Sequence, residues 1–306
     1  MKEYILNYYP KFSCIKGGCK HSCCAGWEIN IDGDTLDFYK EQETFKEELK
    51  KGINFRKAKF KLKNKRCAFL NKEGLCDIII NLGEDALCQV CTDHPRFRSF
   101  FSDRMETGIG FCCEEATRII LSSTEKIGLI KTSDDLDERT LDFNEQKILE
   151  FRNEFISVIQ DREKPINDRV KRLLELSNAK VEKEDFKRIK RLFLSFERVE
   201  KAWGENLKLI KNFNCEIKTE FAIKAEHFLT NFAFRHFSTA EDTFEVRGIA
   251  VAGVISLFLV NTILETKKSF EFENFVEIFR SYSTEVEYSN KNLYKLYDFC
   301  QKFVKI

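Results

Sequence analysis

Four cysteines crowd into eleven residues near the start of this chain: Cys14-Ile-Lys-Gly-Gly-Cys19-Lys-His-Ser-Cys23-Cys24-Ala-Gly-Trp27. Gly17, Gly18 and Gly26 stand among them, and glycine lets a backbone turn tightly around a small object. Thiolates this close in sequence can point at one centre, and a soft metal ion or an iron–sulfur cluster is the usual centre. The crowding extends along the chain: ten of the twelve cysteines lie in residues 14–113, and only Cys215 and Cys300 lie beyond. The opening segment MKEYILNYYPKF lacks an apolar core long enough for a signal peptide, which points to the cytoplasm. Five disulfides are rare in a reducing compartment, so metal ligation is the predicted use of these thiols.

The remainder of the composition narrows the partners and the fold. With 51 basic and 50 acidic side chains the net charge is +1, which leaves no electrostatic footprint for nucleic acid or an acidic membrane surface. Thirty Phe against three Pro, with abundant Lys, Glu and Leu, suit long helices better than a turn-rich sandwich. The most apolar stretch, Ile249 to Leu264, is sixteen residues long and carries Ser256, Asn261 and Thr262. A spanning helix needs about twenty residues, so a buried central helix is predicted and no membrane span. The expected fold is mainly α: a helical bundle with a small N-terminal cysteine-rich α+β part. Residues 1–125 read as a cysteine-rich metal- or cluster-binding domain and 126–306 as a helical domain.

Local patterns place the motifs. Trp27 to Asp32 alternates apolar and polar and reads as a short strand. Asp34 or Thr35 can cap a helix running to about Lys51, with Leu36, Tyr39, Phe45 and Leu49 inward. Cys67 to Ile78 reads as a hairpin turning at Lys72–Gly74, with Cys67 and Cys76 on its arms. Cys88-Gln-Val-Cys91 puts two sulfurs on one centre with little strain, and Pro95 ends any helix there. Two short strands surround Asp103, and Cys112-Cys113 opens a helix toward Thr124. A linker falls around 125–140, including Ser133, Asp134 and Asp135. Helices are then predicted near 142–162, 165–178, 182–202, 215–238, 243–266, 270–284 and 289–304, with Gly204 as a helix end.

Ten thiols exceed the needs of one tetrahedral site. One [4Fe–4S] cluster with structural thiols, one cluster with a zinc site, and two zinc sites all remain open, and spacing does not choose iron or zinc. Adjacent cysteines diverge, so one member each of Cys23-Cys24 and Cys112-Cys113 is predicted to pack rather than ligate. The C-x3-C-x2-C radical signature fails, because position 26 is Gly after Cys19 and Cys23. His94 reads either as a ligand or base, or as a loop histidine bonded to backbone; His21 lies inside the first loop. Arg96 and Arg98 offer planar donors for a carboxylate or a surface ion pair. In the run Phe221 to Phe237, Asn231 and Arg235 share a helix face, and a buried Arg needs a partner, either Glu226 or a ligand carboxylate. Dinucleotide, P-loop, nucleophile-elbow and zincin motifs are absent from the sequence.

Taken in order, these motifs resemble the flagellin lysine N-methylase family. The resemblance is carried by Tyr8-Tyr9, Phe12-x-Cys14-x4-Cys19-x3-Cys23-Cys24-x-Gly26-Trp27-x-Ile29-x-Ile31-Asp32 and Cys67-x-Phe69-Leu70-Asn71-x3-Leu75-Cys76-x-Ile78. It continues through Leu82-Gly83-Glu84-x2-Leu87-Cys88-x2-Cys91-x2-His94-Pro95-Arg96, Cys113-x2-Ala116-x-Arg118 and the run Glu226 to Phe237. The N-terminal part also resembles the wider group of C-x-x-C-x-x-C-C zinc- or iron-chelating proteins. The resemblance implies transfer of methyl groups from S-adenosylmethionine to lysines of flagellin in the cytoplasm, with an iron–sulfur cluster favoured over zinc. The metal ligands are then expected among Cys14, Cys19, Cys23, Cys24, Cys67, Cys76, Cys88, Cys91, Cys112 and Cys113. Cofactor-binding residues are expected among Trp27, Asp32, Arg96, Asn231 and Arg235, with Glu28 and Tyr39 as further groups to orient the amine. The readings from other classes are a metal-binding interaction module and a redox sensor that releases metal on thiol oxidation.

Overall fold

A computed structural model describes residues 1–133, 139–268 and 270–305. The chain opens with β1 (Lys2–Leu6) and passes through the cysteine loop to α1 (Gly33–Glu41) and α2 (Lys46–Gly52). Four two-residue strands follow: β2 (Ile53–Asn54), β3 (Lys59–Phe60), β4 (Leu62–Lys63) and β5 (Arg66–Cys67). Next come α3 (Asp77–Leu82), α4 (Gln89–Asp93), β6 (Arg96–Phe101), β7 (Arg104–Ile109), α5 (Glu114–Ser122) and β8 (Leu129–Lys131). The rest is helical: α6 (Phe143–Ile159), α7 (Ile166–Leu176), α8 (Phe186–Leu194), α9 (Lys201–Leu209), α10 (Ala222–His236), α11 (Thr243–Lys267), α12 (Phe272–Tyr282) and α13 (Asn290–Gln301). The class is mainly α, as the composition predicts.

Packing groups these elements into two units that interleave along the chain. The cysteine unit comprises Ser13–Arg96 with Cys113–Glu115; the helical unit comprises Met1–Phe12, Phe97–Cys112 and Ala116–Ile306. A single division at 125/126 follows chain order, and strand pairing does not. In the helical unit, β1 pairs in parallel with β7, Lys2 opposite Arg104, and antiparallel with β8, Tyr4 opposite Lys131. The first strand of the chain is therefore an inner strand of the sheet β6-β7-β1-β8.

The helical unit is centred on α11. Asp242 caps it by accepting the Phe244 and Glu245 amides, both at 2.8 Å. The helix is longer than the apolar stretch read from sequence, at 25 residues, and by length and composition it could cross a membrane. Its apolar window is 94% buried within the unit, which is the setting of a central core helix. Several of its polar groups find partners inside, while Asn261 Oδ1 has no hydrogen bond. Asn261 Nδ2 donates to the Asn214 and Glu216 carbonyls at 3.2 and 3.0 Å, Thr262 Oγ1 to Phe258 O, and Tyr282 Oη to Ser256 Oγ. Burying these groups costs little once they are paired.

Elsewhere the structure departs from the local patterns. The helix predicted to reach Lys51 breaks into α1 and α2, with Phe45 at φ 64° between them. The break lets Phe45 pack on Phe69, ring centroids 6.0 Å apart. Trp27–Asp32 forms no regular strand; Asn30 makes one isolated bridge to Lys59. In the 67–78 segment, Leu70 bridges Cys76, and Asn71 Oδ1 accepts the Glu73 and Leu75 amides to shape the turn. The helix predicted over 182–202 is interrupted, because the Val199 and Glu200 amides turn outward to the buried Glu285 carboxylate. Gly204 lies inside α9 rather than ending a helix. Part of the predicted linker forms β8; Asp134 and Asp135 lie outside the described residues.

Candidate functional site

The cysteine unit is built on one apolar core. Ile29, Ile31, Tyr39, Leu49, Ile53, Phe60, Phe69 and Ile78 are buried together with Cys67 and Cys88. Cys24, Cys76 and Cys91 are half-buried against the same core. This inner group therefore draws five thiols from the first loop, the 67–76 turn and the 88–91 segment. An apolar, poorly solvated wall of this kind suits thiols held for a soft metal rather than for solvent chemistry.

An outer group comprises Cys14, Cys19, Cys23 and Cys113. The loop that carries the first three is held by Glu114, whose Oε2 accepts the Lys20 and His21 amides at 3.0 and 3.1 Å. Trp27 Nε1 donates to Cys23 O at 2.7 Å and closes the other end of the loop. Glu114 was not singled out from sequence; its signal is a buried acid directly after Cys113. The two groups meet at the adjacent pair, where the Cys23 and Cys24 thiols share a hydrogen bond.

Mutual hydrogen bonding splits the thiols by acidity. The Cys23 hydrogen bond holds Cys24 down at about 7, while that bond and burial push Cys23 up. In the C-x-x-C segment the bond between Cys88 and Cys91 lowers Cys88 and raises Cys91. Burial lifts Cys19 to about 11 and Cys67 to about 12, and raises Cys76. Nearby thiolates add to several of these shifts: Cys91 feels Cys24 and Cys23, Cys67 feels Cys24, Cys76 and Cys88, and Cys19 feels Cys113 and Cys14. Gathering positive charge among these thiols relieves that mutual repulsion, which is the electrostatic service a metal performs.

The fit of a metal depends on its size. Among the described residues no three His, Cys, Asp or Glu side chains converge to hold one ion. A lone zinc ion takes its ligands at one point. A four-iron cluster is ligated at separate irons, so its thiolates need only surround a larger volume. The inner group supplies the donor type that either centre uses: five thiols from three segments on an apolar wall.

The predicted cofactor residues fall into both units. In the cysteine unit, Asp32 accepts the Thr35 amide at 3.0 Å as the α1 cap and the Gln89 amide at 2.8 Å. Burial opposes its ionisation, and these amides outweigh burial and lower its pKa. Arg96 Nη1 donates to Thr92 O, Glu28 is ion-paired with Lys59, and Tyr39 Oη donates to Ala86 O. In the helical unit, Asn231 Nδ2 donates to Tyr8 Oη and to Ile109 O. Arg235 meets Glu287 at 3.1 Å and covers the Tyr288 ring at 4.5 Å. The partner proposed from sequence, Glu226, instead binds Arg162 and Arg169. Glu287 lies on the turn after α12, too far along the sequence for a helix-face argument to find it.

Cys112 is buried in the helical unit, hydrogen-bonded to Tyr288, while Cys113 belongs to the cysteine unit. Cys215 and Cys300 also lie in the helical unit, and all twelve cysteines are free thiols.

Comparison with known proteins adds a direct relationship. The chain is 27% identical to the lysine-N-methylase of Salmonella typhimurium strain LT2 over 142 aligned residues, covering 42% of this chain and 35% of that protein. The Salmonella choleraesuis lysine-N-methylase matches to the same extent. This chain is distantly similar to lysine-N-methylases. The match to the flagellar biosynthetic protein FliU of Salmonella muenchen, also 27% identical, covers 84% of that shorter relative. The chain thus spans about a third of the length of the lysine-N-methylases it matches. No family model matches the chain, and no solved structure matches it.

Proposed function

We propose that this protein is an S-adenosylmethionine-dependent protein-lysine N-methyltransferase acting on flagellin in the cytoplasm, and that its cysteine unit holds an iron–sulfur cluster. The observation that carries the reading is the similarity to lysine-N-methylases and FliU in a chain whose thiols gather on one core. The cluster would be held by Cys24, Cys88 and Cys91 together with Cys67 or Cys76. When bound, it supplies rigidity to three segments and a Lewis-acidic iron. S-adenosylmethionine supplies an electrophilic methyl group, and a neutral lysine amine is nucleophile enough to take it.

What the chain must do is align the two and manage a proton. Trp27, pinned by its bond to Cys23 O, offers an aromatic face on which a cationic, methyl-bearing group sits well. Asp32 holds the first turns of α1 and α4 together beside the inner thiols and so positions Cys88, which precedes α4. Arg96 would recognise a carboxylate, and Asn231 and Arg235 shape the helical unit through Tyr8 and Glu287.

The test is anaerobic purification followed by iron and sulfide analysis, and incubation with methyl-labelled S-adenosylmethionine and flagellin. Label on flagellin lysines and about four irons per chain are expected. Cys88→Ser with Cys91→Ser should lose the iron, and Cys215→Ser should keep it. Intact metal without label would sink the methylase assignment and favour a metal-binding interaction module. A colourless protein with stoichiometric zinc would overturn the cluster.

A further inference from the structure

His227 is buried in the middle of α10, and both of its ring nitrogens face backbone carbonyls. Nδ1 lies 2.8 Å from Ile120 O and Nε2 lies 2.9 Å from Glu125 O. A carbonyl only accepts, and a neutral imidazole carries one N–H. Both contacts are hydrogen bonds only when the ring carries two protons. Flipping the ring changes nothing, because the acceptor on each side is an oxygen.

The surroundings are arranged for a cation. Ile120 is in the last turn of α5, where unpaired carbonyls concentrate negative partial charge. Arg162 Nη1 reaches the same region and donates to Thr124 O at 2.8 Å. Glu226 precedes His227 on α10, and its carboxylate joins Arg162 to Arg169. From the connecting segment come Glu125 and, paired to it at 3.7 Å, Lys11. Burial, the largest influence, takes the ring's pKa below the ordinary 6.5; the Ile120 carbonyl, Glu226 and the Glu125 carbonyl work against that lowering, and Arg162 adds to it. Arg162 is a third exposed and Lys11 more than half, so water screens both, whereas Glu226 is fully buried. Against burial stands the geometry of the two acceptors: a neutral ring would turn a lone pair on a buried carbonyl at hydrogen-bond distance.

We propose that His227 is an imidazolium in the folded chain and acts as a pH-sensitive latch, clasping the end of α5 to the segment that follows it. The charged ring ties residues 120 and 125 to α10 with two bonds. Loss of its proton on going to alkaline pH breaks one of them and leaves Arg162 alone to hold Thr124. The sign follows from the linkage: the latch is fully engaged below the ring's unfolded pKa and is released as pH rises through the folded value. The inference is independent of the methyltransferase reading.

The test is nuclear magnetic resonance of the full chain labelled with 15N-histidine, with His227 assigned from His227→Gln. Two protonated ring nitrogens are expected at pH 7, the signature of the two-acceptor geometry, with the titration midpoint on the alkaline side of that pH. Amide exchange at residues 121–125, corrected for intrinsic base catalysis, should rise through the same midpoint, and His227→Gln should abolish that step. If His227→Gln does not fold, contacts of the ring protons with Ile120 and Glu125 provide the assignment. A single neutral tautomer at pH 7, or a midpoint at or below 6.5, overturns the proposal.

Discussion

The Glu106–Arg152 pair joins the sheet of the helical unit to α6, and breaking it offers a sharp measure of what holds that unit together. Glu106 stands on β7 opposite Tyr4 of β1. Arg152 grips it with two parallel bonds, Nη1–Oε2 at 2.5 Å and Nη2–Oε1 at 2.7 Å. The two side chains are 2% and 1% exposed. The guanidinium also lies over the rings of Phe234 and Phe101, at 4.8 and 5.3 Å. Glu106→Gln keeps the shape but removes the charge, stranding a buried guanidinium whose Nε already has no hydrogen bond. Removing one partner of a buried pair costs about 3–5 kcal/mol. That is a large share of the roughly 5–15 kcal/mol by which a domain is stable. Glu106→Leu combined with Arg152→Met takes both charges away, and the double variant should regain most of the loss. Trp27 and Trp203 are the only tryptophans in the chain, one in each unit. In a Trp27→Phe background, urea unfolding followed by Trp203 fluorescence therefore reads the helical unit alone. A loss under about 1 kcal/mol for Glu106→Gln, or a double variant as unstable as the single, would refute the reasoning.

Two further outcomes follow from the geometry. A Cβ on Gly52 would run into the Phe69 ring, in the buried cluster that carries the inner thiols. Gly52→Ala should lower stability by about 1–3 kcal/mol despite alanine's better helix propensity, worth about 1 kcal/mol; a stabilised protein by Trp27 fluorescence unfolding would contradict the packing. Burial works against the charge on Glu287, but Arg235 and then His236 prevail and bring its carboxyl to about 2 from 4.5. A depressed carboxyl adds stability above its unfolded pKa that is lost as pH falls toward the folded one. Stability of the native protein should therefore fall between pH 4.5 and 2, and Glu287→Gln should flatten that limb of the acid-unfolding curve.

The residue patterns carried the class of fold and the ingredients of the site. Helices α6, α7, α12 and α13 fall where apolar periodicity puts them, because periodicity records the face each buries, while α10 and α11, buried nearly all round, announced themselves by sustained apolar content. The paired strands around Asp103 were legible for the same reason. Interruptions were not. The gap between α8 and α9 exists because Glu285, some 85 residues further on, captures the Val199 and Glu200 amides. The break at Phe45 serves a contact with Phe69, and no local propensity announces it.

By itself the sequence determined that the chain is mainly helical, that ten thiols crowd residues 14–113, and that its motifs resemble the lysine N-methylases. The first two follow from composition and period, which are local properties; the third is a resemblance carried by the ordered motifs. Only the tertiary structure decided how the thiols divide: five on an apolar core, three on the Glu114-held loop with Cys113 in the same unit, and Cys112 apart in the helical unit. It also decided that the first strand pairs with β7 and β8, and that Arg235 answers to Glu287 while Glu226 serves Arg162 and Arg169. Buried charges and strand edges take whichever partner the packing brings within reach, and sequence distance says nothing about which one that will be.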